Sequence, residues 1–555
     1  MTLRVAAGFG PSLLFENPHH VWMPSTFEGA LAALQAAQSA ADRGYWIAGA
    51  ISYEFGAQLH GIDARSHEPL LLLAAFEEPS RMEWHASAPK FAMSAPLSRI
   101  ARDSYAGAIE YLLAQIRDGE VYQVNYTVPF DAGFAGDPLT LFRFLAPRVR
   151  APYCAYLEQG DFAIVSMSPE LFLRFDGDCV TTKPMKGTAP LAHLEELSSS
   201  KNRAEHVMIV DLLRNDLRRI CEDVRVRRLF EIERYPTFAT MTSTITGRLR
   251  PQTSFERVLR ATFPCGSVTG APKRAAIAHI ARTEQYPRGF YTGSIGFLSP
   301  QRRGWWNVPI RTLQIDRSFG RARYDAGGGI VSDSNATDEW NEIAVKSRFL
   351  RPAYEGFSLW ETFCCGPQGS DVQAHLHRLE RSAAAFGIPL DMDAIRAQLV
   401  APANMPDAQF VRIRANADSV KVTARPLEPS QTPVDLCVSR HRVRSDDPLL
   451  RHKTAWRPVH EAAALEARER NCFDAILQNE RGELTEGSRT NIFVQKGNTV
   501  YTPPLECGLL PGILRSQLVN EGQAVERVLT QADLAAADAV FAGNSARGLL
   551  LARIR

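Results

Sequence analysis

A restart of the folding pattern near residue 350 constrains this chain more than any other feature. A helix-like pattern ends near Leu350, Arg351-Pro352-Ala353-Tyr354-Glu355-Gly356 interrupts it, and Phe357-Ser358-Leu359-Trp360-Glu361-Thr362-Phe363 reads as a new strand. At 555 residues the chain is too long for one hydrophobic core. Before the break, alternating apolar strands are expected at 162–166, 171–175 and 305–313, with amphipathic helices at 104–117 and 202–220. After it, short strands and helices alternate afresh. Two α+β units are expected, 1–350 and 357–555.

Composition narrows the function classes. A formal charge of +2 gives no long-range field suited to nucleic acid or a membrane surface. No run of 18 apolar residues suggests a transmembrane helix, and Met1 to Gly8 lacks the apolar region of a signal peptide. The nine cysteines form no C-x-x-C pair, which suits a reducing cytoplasm. These features point to a cytoplasmic enzyme with no nucleic-acid or membrane partner.

In the first unit, Lys201 to Leu217 reads as a helix with Ser199 and Ser200 as candidate caps and an apolar stripe at Val207, Val210, Leu213 and Leu217. Glu205 lies in its first turns, where any helix favours a carboxylate. Glu339, Glu342 and Lys346 share the face of a second helix, and alone they read as a salt-bridged surface. Two such glutamates from distant segments would also suit Mg²⁺, which takes one or two protein carboxylates and leaves other positions to water and substrate. Gly327-Gly328-Gly329 reads as a plain turn or as a run of backbone N–H groups able to approach an anion. Arg311 sits in an apolar strand, where a carboxylate partner would relieve the cost of a buried guanidinium. The turn around Ser267 and Thr269 offers hydroxyls and N–H groups before a helix beginning near Lys273.

The strings EHVMIVDLLRNDL, PCGSVTGAPKRAA, YTGSIGF, IRTL, GGGIVSDS and EWNEIAVKS occur in one order between residues 100 and 350. Together they resemble the chorismate-binding catalytic domain shared by anthranilate synthase component I, isochorismate and salicylate synthases, and aminodeoxychorismate synthase component I. Residues 1–99 are less distinctive, although Pro11 to Asn17 resembles the family's N-terminal strand region. The resemblance implies a β-sandwich with flanking helices and chorismate as substrate. By it, Glu205 and Glu342 would hold Mg²⁺, and Tyr291, Arg311 and the Gly327, Gly328 and Gly329 amides would bind carboxylates. Lys346 would lie at the metal end, and Glu170 would be the acid facing the departing hydroxyl. Gln123 stands where isochorismate-type enzymes carry a water-activating lysine, and a neutral amide speaks against water as the nucleophile. Lys186 stands where anthranilate synthases have a small residue and aminodeoxychorismate synthases have lysine. There it would attack C2 of the ring before ammonia enters at C4. The family often has histidine where this chain has Thr240, and no role is assigned to it.

In the second unit, HKTAW around Lys453, TEGSRTNIF around Glu486, LLPGILR around Gly512 and GNSARGL around Asn544 resemble fold-type IV pyridoxal-phosphate (PLP) enzymes over residues 357–550. The resemblance implies that Lys453 holds PLP covalently and that Glu486 pairs with its pyridine nitrogen. Arg378, Gly512 and Ile513 would hold the phosphate, with Asn544 and Ser545 as further contacts. A homodimer through this unit is an assembly the resemblance allows.

In series, the halves would turn chorismate and ammonia into 4-amino-4-deoxychorismate, then eliminate pyruvate to leave 4-aminobenzoate, a folate precursor. No cysteine-centred glutaminase motif is present, so a glutamine amidotransferase subunit would supply the ammonia. The alternative is an anthranilate-synthase-type component I joined to a fold-type IV aminotransferase.

Overall fold

The structure, a computed structural model, describes residues 3–8, 12–64, 66, 68–82, 90–189, 191–236, 238–365 and 371–555. Met1, Thr2 and Pro11, used in reading the N-terminus, lie outside the described residues, as does the side chain of Ser200. The chain forms two compact units, Met1–Glu355 and Gly356–Arg555.

The first unit is built on two antiparallel sheets. One has the consecutive strands Gln123–Gly136, Arg321–Ile330, Thr312–Asp316, Phe162–Ser168, Tyr153–Gln159 and Leu3–Ala7. The other runs Met185–Ala189, Ala239–Leu249, Cys179–Lys183, Leu171–Asp176, Arg303–Asn307, Ser294–Leu298 and Trp46–Ile51. Val5, Leu157 and Ile164 of the first meet Ala48, Leu72, Ile295 and Phe297 of the second in one apolar layer. Each fully buried large apolar side chain there contributes about 1.5–3 kcal/mol. The outer faces are covered too. Arg102–Arg117, Pro138–Val149 and Lys273–Thr283 pack on one sheet, and Phe27–Asp42, Ser200–Arg218 and Phe255–Thr262 on the other. This explains the continuous apolar run LLLAAF at Leu71–Phe76, buried along its whole length. The result is a β-sandwich with flanking helices, as the resemblance implied.

Two local expectations are corrected. The strand read at 305–313 is two strands in different sheets, Arg303–Asn307 and Thr312–Asp316, with Val308 to Arg311 crossing between them. Pro309 has no N–H for a ladder, and Arg311 adopts φ 54°, so the chain cannot continue as one strand. On Ser200–Arg218, Val207 is 48% exposed, and the buried stripe is His206, Ile209, Val210, Leu213 and Leu217. Ser199 caps this helix by accepting from the N–H of Asn202 (3.2 Å).

The second unit combines a three-stranded antiparallel sheet (Leu359–Cys365, Gln409–Ala415, Val420–Pro426) with a larger mixed sheet of eight strands. Leu484–Gly487 pairs with both Asp474–Asn479 and Asn491–Lys496, which closes six strands of the larger sheet into a ring. Leu436, Ile476, Ile492, Ala542 and Leu550 share its core. The parallel pair Val434–Val443 and Asp474–Asn479 needs a crossover, and the helix Pro458–Glu469 lies in it, just after Lys453. No helix among the described residues is long and apolar enough to cross a membrane.

Candidate functional site

The first unit contains a cavity of about 810 Å³. Glu170, Lys186, Glu205, Ser267, Tyr291, Arg311, Gly327, Gly328, Gly329, Glu342 and Lys346 all line it, although they lie far apart in sequence. Glu170 sits where the chain leaves Phe162–Ser168 for the other sheet, and it is 3% exposed. Burial pushes its carboxyl up to about 7, while the Ser267 hydroxyl, donating to Oε1 at 2.6 Å, acts in the opposite direction. Ser267 therefore serves Glu170 directly. Lys186 lies on the edge strand Met185–Ala189, and burial lowers its basicity, with Glu205 opposing that shift and Lys346 adding to it. The cavity thus holds an amine and a carboxyl whose acidities have been moved toward each other.

Arg311 stands in the crossover with its guanidinium 3.7 Å from the centre of the Phe238 ring. Burial brings it down to about 10, which marks a cation short of compensation in the cavity wall. Gly327 to Gly329 form part of the strand Arg321–Ile330, which corrects the reading of a plain turn. The neighbouring strand Thr312–Asp316 pairs only as far as Tyr324, so beyond it the glycine segment has one ladder partner and an open edge. The glycines also make room. A Cβ on Gly328 would lie 2.8 Å from Glu339 Oε2, and one on Gly329 would lie 2.6 Å from Gln123 Nε2 and 3.0 Å from Lys186 Nζ.

Two expected residues are placed elsewhere. Thr269 does not line the cavity, because its hydroxyl donates inward to the Cys265 carbonyl at 2.9 Å. Gln123 is buried behind Gly329, and both its amide atoms lack hydrogen-bond partners among the described residues. Thr240 donates to the Gly187 carbonyl (2.7 Å) and so helps hold the strand that carries Lys186.

Glu205, from Ser200–Arg218, and Glu342, from Ala336–Lys346, are the carboxylates that would be available to a divalent ion; Lys346 Nζ bonds Glu342 at 2.8 Å. Both carboxylates raise the basicity of Lys186. Two carboxylates beside an open cavity fit Mg²⁺, which leaves positions to water and substrate oxygens. Among the described residues no group of three or more His, Cys, Asp or Glu forms a closed metal cage. The sequence reading did not single out Asn125, Asn202 and Asp325 as cavity-lining residues, and no local pattern marks them.

In the second unit, Lys453 Nζ meets the Thr362 hydroxyl. Burial brings the amine down to about 7, with Glu361 and Glu486 opposing and Arg378 and Arg457 reinforcing. Arg378 is held by Glu361 through two bonds of 2.8 Å, and it donates to the Pro511 carbonyl at 2.9 Å. Glu486 is buried, yet Arg457 (2.7 Å) and His460 (2.8 Å) keep its carboxyl below the usual range, so it stays ionised. Arg457 and His460 lie in the segment following Lys453, but only the fold shows that they face Glu486. The Gly512 N–H already donates to the Leu510 carbonyl (2.8 Å), which corrects its expected role as a free donor. Ile513 opens a helix that no side chain caps among the described residues, leaving first-turn N–H groups for an anion. Asn544 closes its own turn, its Oδ1 accepting from Ala546 and Arg547 N–H (both 3.1 Å) and its amide donating to the Arg489 carbonyl (3.2 Å), while Ser545 lies half-buried beside it. A weakly basic lysine, an ionised buried glutamate and an uncapped helix start beside an arginine together fit PLP.

Residues 3–352 match the chorismate binding enzyme family, and residues 354–553 match class IV amino-transferases. The chain is 36% identical over 299 residues to aminodeoxychorismate synthase component 1 of Salmonella typhimurium, covering 51% of this chain and 65% of that protein. It is 35% identical over 263 residues to anthranilate synthase component 1 of Saccharolobus solfataricus, covering 45% of this chain and 62% of that one. The chain therefore spans less than two-thirds of the length of either relative. Anthranilate synthase component I from Streptococcus pneumoniae superposes with a TM-score of 0.53 at 25% identity, covering 63% of this chain and 92% of that structure. The chain belongs to the chorismate binding enzyme family and continues into a class IV amino-transferase domain.

Proposed function

We propose that the first unit converts chorismate and ammonia to 4-amino-4-deoxychorismate and that the second eliminates pyruvate from it, giving 4-aminobenzoate. The observation that carries this reading is Lys186, an amine of lowered basicity in one cavity with a carboxyl brought to about 7. At neutral pH a useful fraction of Glu170 is protonated, so it can give its proton to the departing 4-hydroxyl while Lys186 bonds to C2. Ammonia then bonds to C4, and the C2–lysine bond breaks to restore the amine. Arg311, Tyr291 and the open edge at Gly327–Gly329 orient the substrate carboxylates. Glu205 and Glu342 would hold Mg²⁺, which supplies positive charge to a substrate carboxylate.

In the second unit Lys453 would hold PLP, Glu486 would face its ring nitrogen, and Arg378 with the Ile513 N–H would hold its phosphate. PLP when bound supplies an electron sink for deprotonation beside an amine. Lys453, brought to about 7, is matched to take the C4 proton near neutral pH. A separate glutamine amidotransferase would deliver the ammonia, in keeping with the words "component 1" in the Salmonella relative's name.

The test supplies chorismate, Mg²⁺ and ammonium to PLP-loaded wild type and to Lys186→Ala, then identifies the aromatic product by chromatography. The expected result is 4-aminobenzoate from wild type and none from Lys186→Ala. Fluorescent 2-aminobenzoate from wild type would overturn the reading in favour of an anthranilate-type first unit.

A further inference from the structure

The segment that carries Lys453 runs along the free edge of the three-stranded sheet in the second unit. The Trp360 N–H donates to the Lys453 carbonyl and the Ala455 N–H to the Ser358 carbonyl (both 2.8 Å), with Leu359 opposite Thr454 in an antiparallel bridge. Lys453 therefore stands opposite Trp360, and residues directly opposite in antiparallel strands share a face. The rest of that face follows from the register. Trp360 lies opposite Arg414 and Thr362 opposite Arg412, while Arg414 and Arg412 lie opposite Lys421 and Thr423 of the outer strand. The contact of Lys453 Nζ with the Thr362 hydroxyl puts the amine on the same side. The other side is core, where Leu359, Phe363, Val411 and Ile413 are buried.

Arg412, Arg414 and Lys421 thus share the face that carries the Lys453 amine, and all three are exposed. Arg414 Nε donates to the Ser358 hydroxyl (3.0 Å), and the Arg412 guanidinium stands 5.3 Å from the centre of the Trp360 ring. Among the described residues no carboxylate pairs with any of the three; the Arg425–Glu428 pair (4.0 Å) includes none of them. Like charges directly opposite on a sheet repel, and Arg414 with Lys421 is such a pair. Charge on an edge strand blocks pairing with other chains, which accounts for Lys421. It does not account for Arg412 and Arg414, which lie on the central strand. We propose that this face binds the second unit's substrate, with Arg412 and Arg414 each taking one carboxylate of a cyclic dicarboxylate. A guanidinium matches a carboxylate through two parallel hydrogen bonds, and a dianion relieves the repulsion among the cations. Trp360 and Phe410, half-buried on the same face, add flat apolar surface for the ring. The proposal rests on the lyase reading above, whose substrate carries one carboxylate on its ring and another on the arm that leaves as pyruvate. An apolar amino acid, the substrate of a simple aminotransferase, offers only one.

The test loads the full chain with PLP and supplies 4-amino-4-deoxychorismate directly, so the first unit takes no part. Pyruvate release gives kcat and KM for wild type, Arg412→Gln, Arg414→Gln and Arg412→Lys. Both arginines are exposed, so the variants should melt normally and keep the PLP absorption band. The expected result is a KM raised about tenfold or more in each glutamine variant, the scale of one lost hydrogen bond to a charged group, with kcat little changed. Arg412→Lys, which keeps the charge, should recover part of the loss. A second readout needs no turnover. Isophthalate, a ring with two carboxylates, should perturb the wild-type PLP band, and the glutamine variants should need about tenfold more of it. An unchanged KM in both glutamine variants, or a wild-type band that isophthalate leaves unmoved, would overturn the proposal. If wild type releases no pyruvate, the lyase reading fails, and the isophthalate titration still decides the binding face separately.

Discussion

Replacing Ser267 with alanine should move the alkaline edge of the first unit's activity upward. The Ser267 hydroxyl donates to Glu170 Oε1 at 2.6 Å, and this bond favours the ionised carboxylate in a site where burial otherwise favours the neutral acid. A hydrogen bond to a charged group is worth about 1.5–3 kcal/mol, and each 1.36 kcal/mol corresponds to one pH unit, so Glu170 should rise from about 7 to about 8–9. As a proton donor Glu170 acts in its protonated form. Wild-type kcat/KM should therefore fall as pH rises through about 7, and Ser267→Ala should hold its rate for about one to two further units. The assay follows chorismate consumption with saturating ammonia, corrected at each pH for the ammonia present, alongside thermal melting to verify folding. An edge that stays in place or moves to lower pH, in a protein that melts normally, would refute the assignment of Glu170 as the acid.

Three other outcomes test the packing. Glu361 is held at about 2 instead of 4.5: burial opposes ionisation, but Arg378 and His375 prevail. Its depressed folded value contributes about 3 kcal/mol of stability that is present above about pH 4.5 and lost as pH falls toward about 2. Glu361→Gln should remove that acid-side dependence and cost about 3–5 kcal/mol at neutral pH by leaving Arg378 buried without its partner, measured by urea unfolding. Gly512→Ala places a Cβ 1.8 Å from Asn491 Oδ1, so it should destabilise the second unit by about 1–3 kcal/mol and weaken PLP uptake in an absorbance titration. Gly329→Ala drives a methyl between Gln123 and Lys186 and should lower kcat/KM for chorismate by about tenfold or more with little change in melting.

Many of the residues that the resemblance singles out share one cavity. Glu170, Lys186, Glu205, Tyr291, Arg311, the three glycines, Glu342 and Lys346 all line one cavity. The helix that carries Glu205 follows from its apolar period, although that period puts Val207 on the buried face and the fold exposes it. Side-chain direction was harder to read. Thr269 lies two residues from Ser267 in the same turn, yet it faces the Cys265 carbonyl while Ser267 faces Glu170. The resemblance implies a phosphate contact at Asn544, whose Oδ1 accepts from N–H groups of its own turn.

By itself the sequence determined the inventory: two units, the order of the glycine-rich and acidic segments, and one lysine in each unit that the resemblances single out. Those follow from residue identity and local period, which act over a few residues. The tertiary structure alone decided how the inventory is used. Arg311 reaches the cavity because the chain switches sheets beside Pro309, and the glycine strand presents an open edge because its neighbour stops at Tyr324. Glu170 and Lys453 have shifted acidities because segments distant in sequence enclose them. Desolvation and partner choice depend on what packs nearby in space, and the spacing of residues along the chain does not encode that.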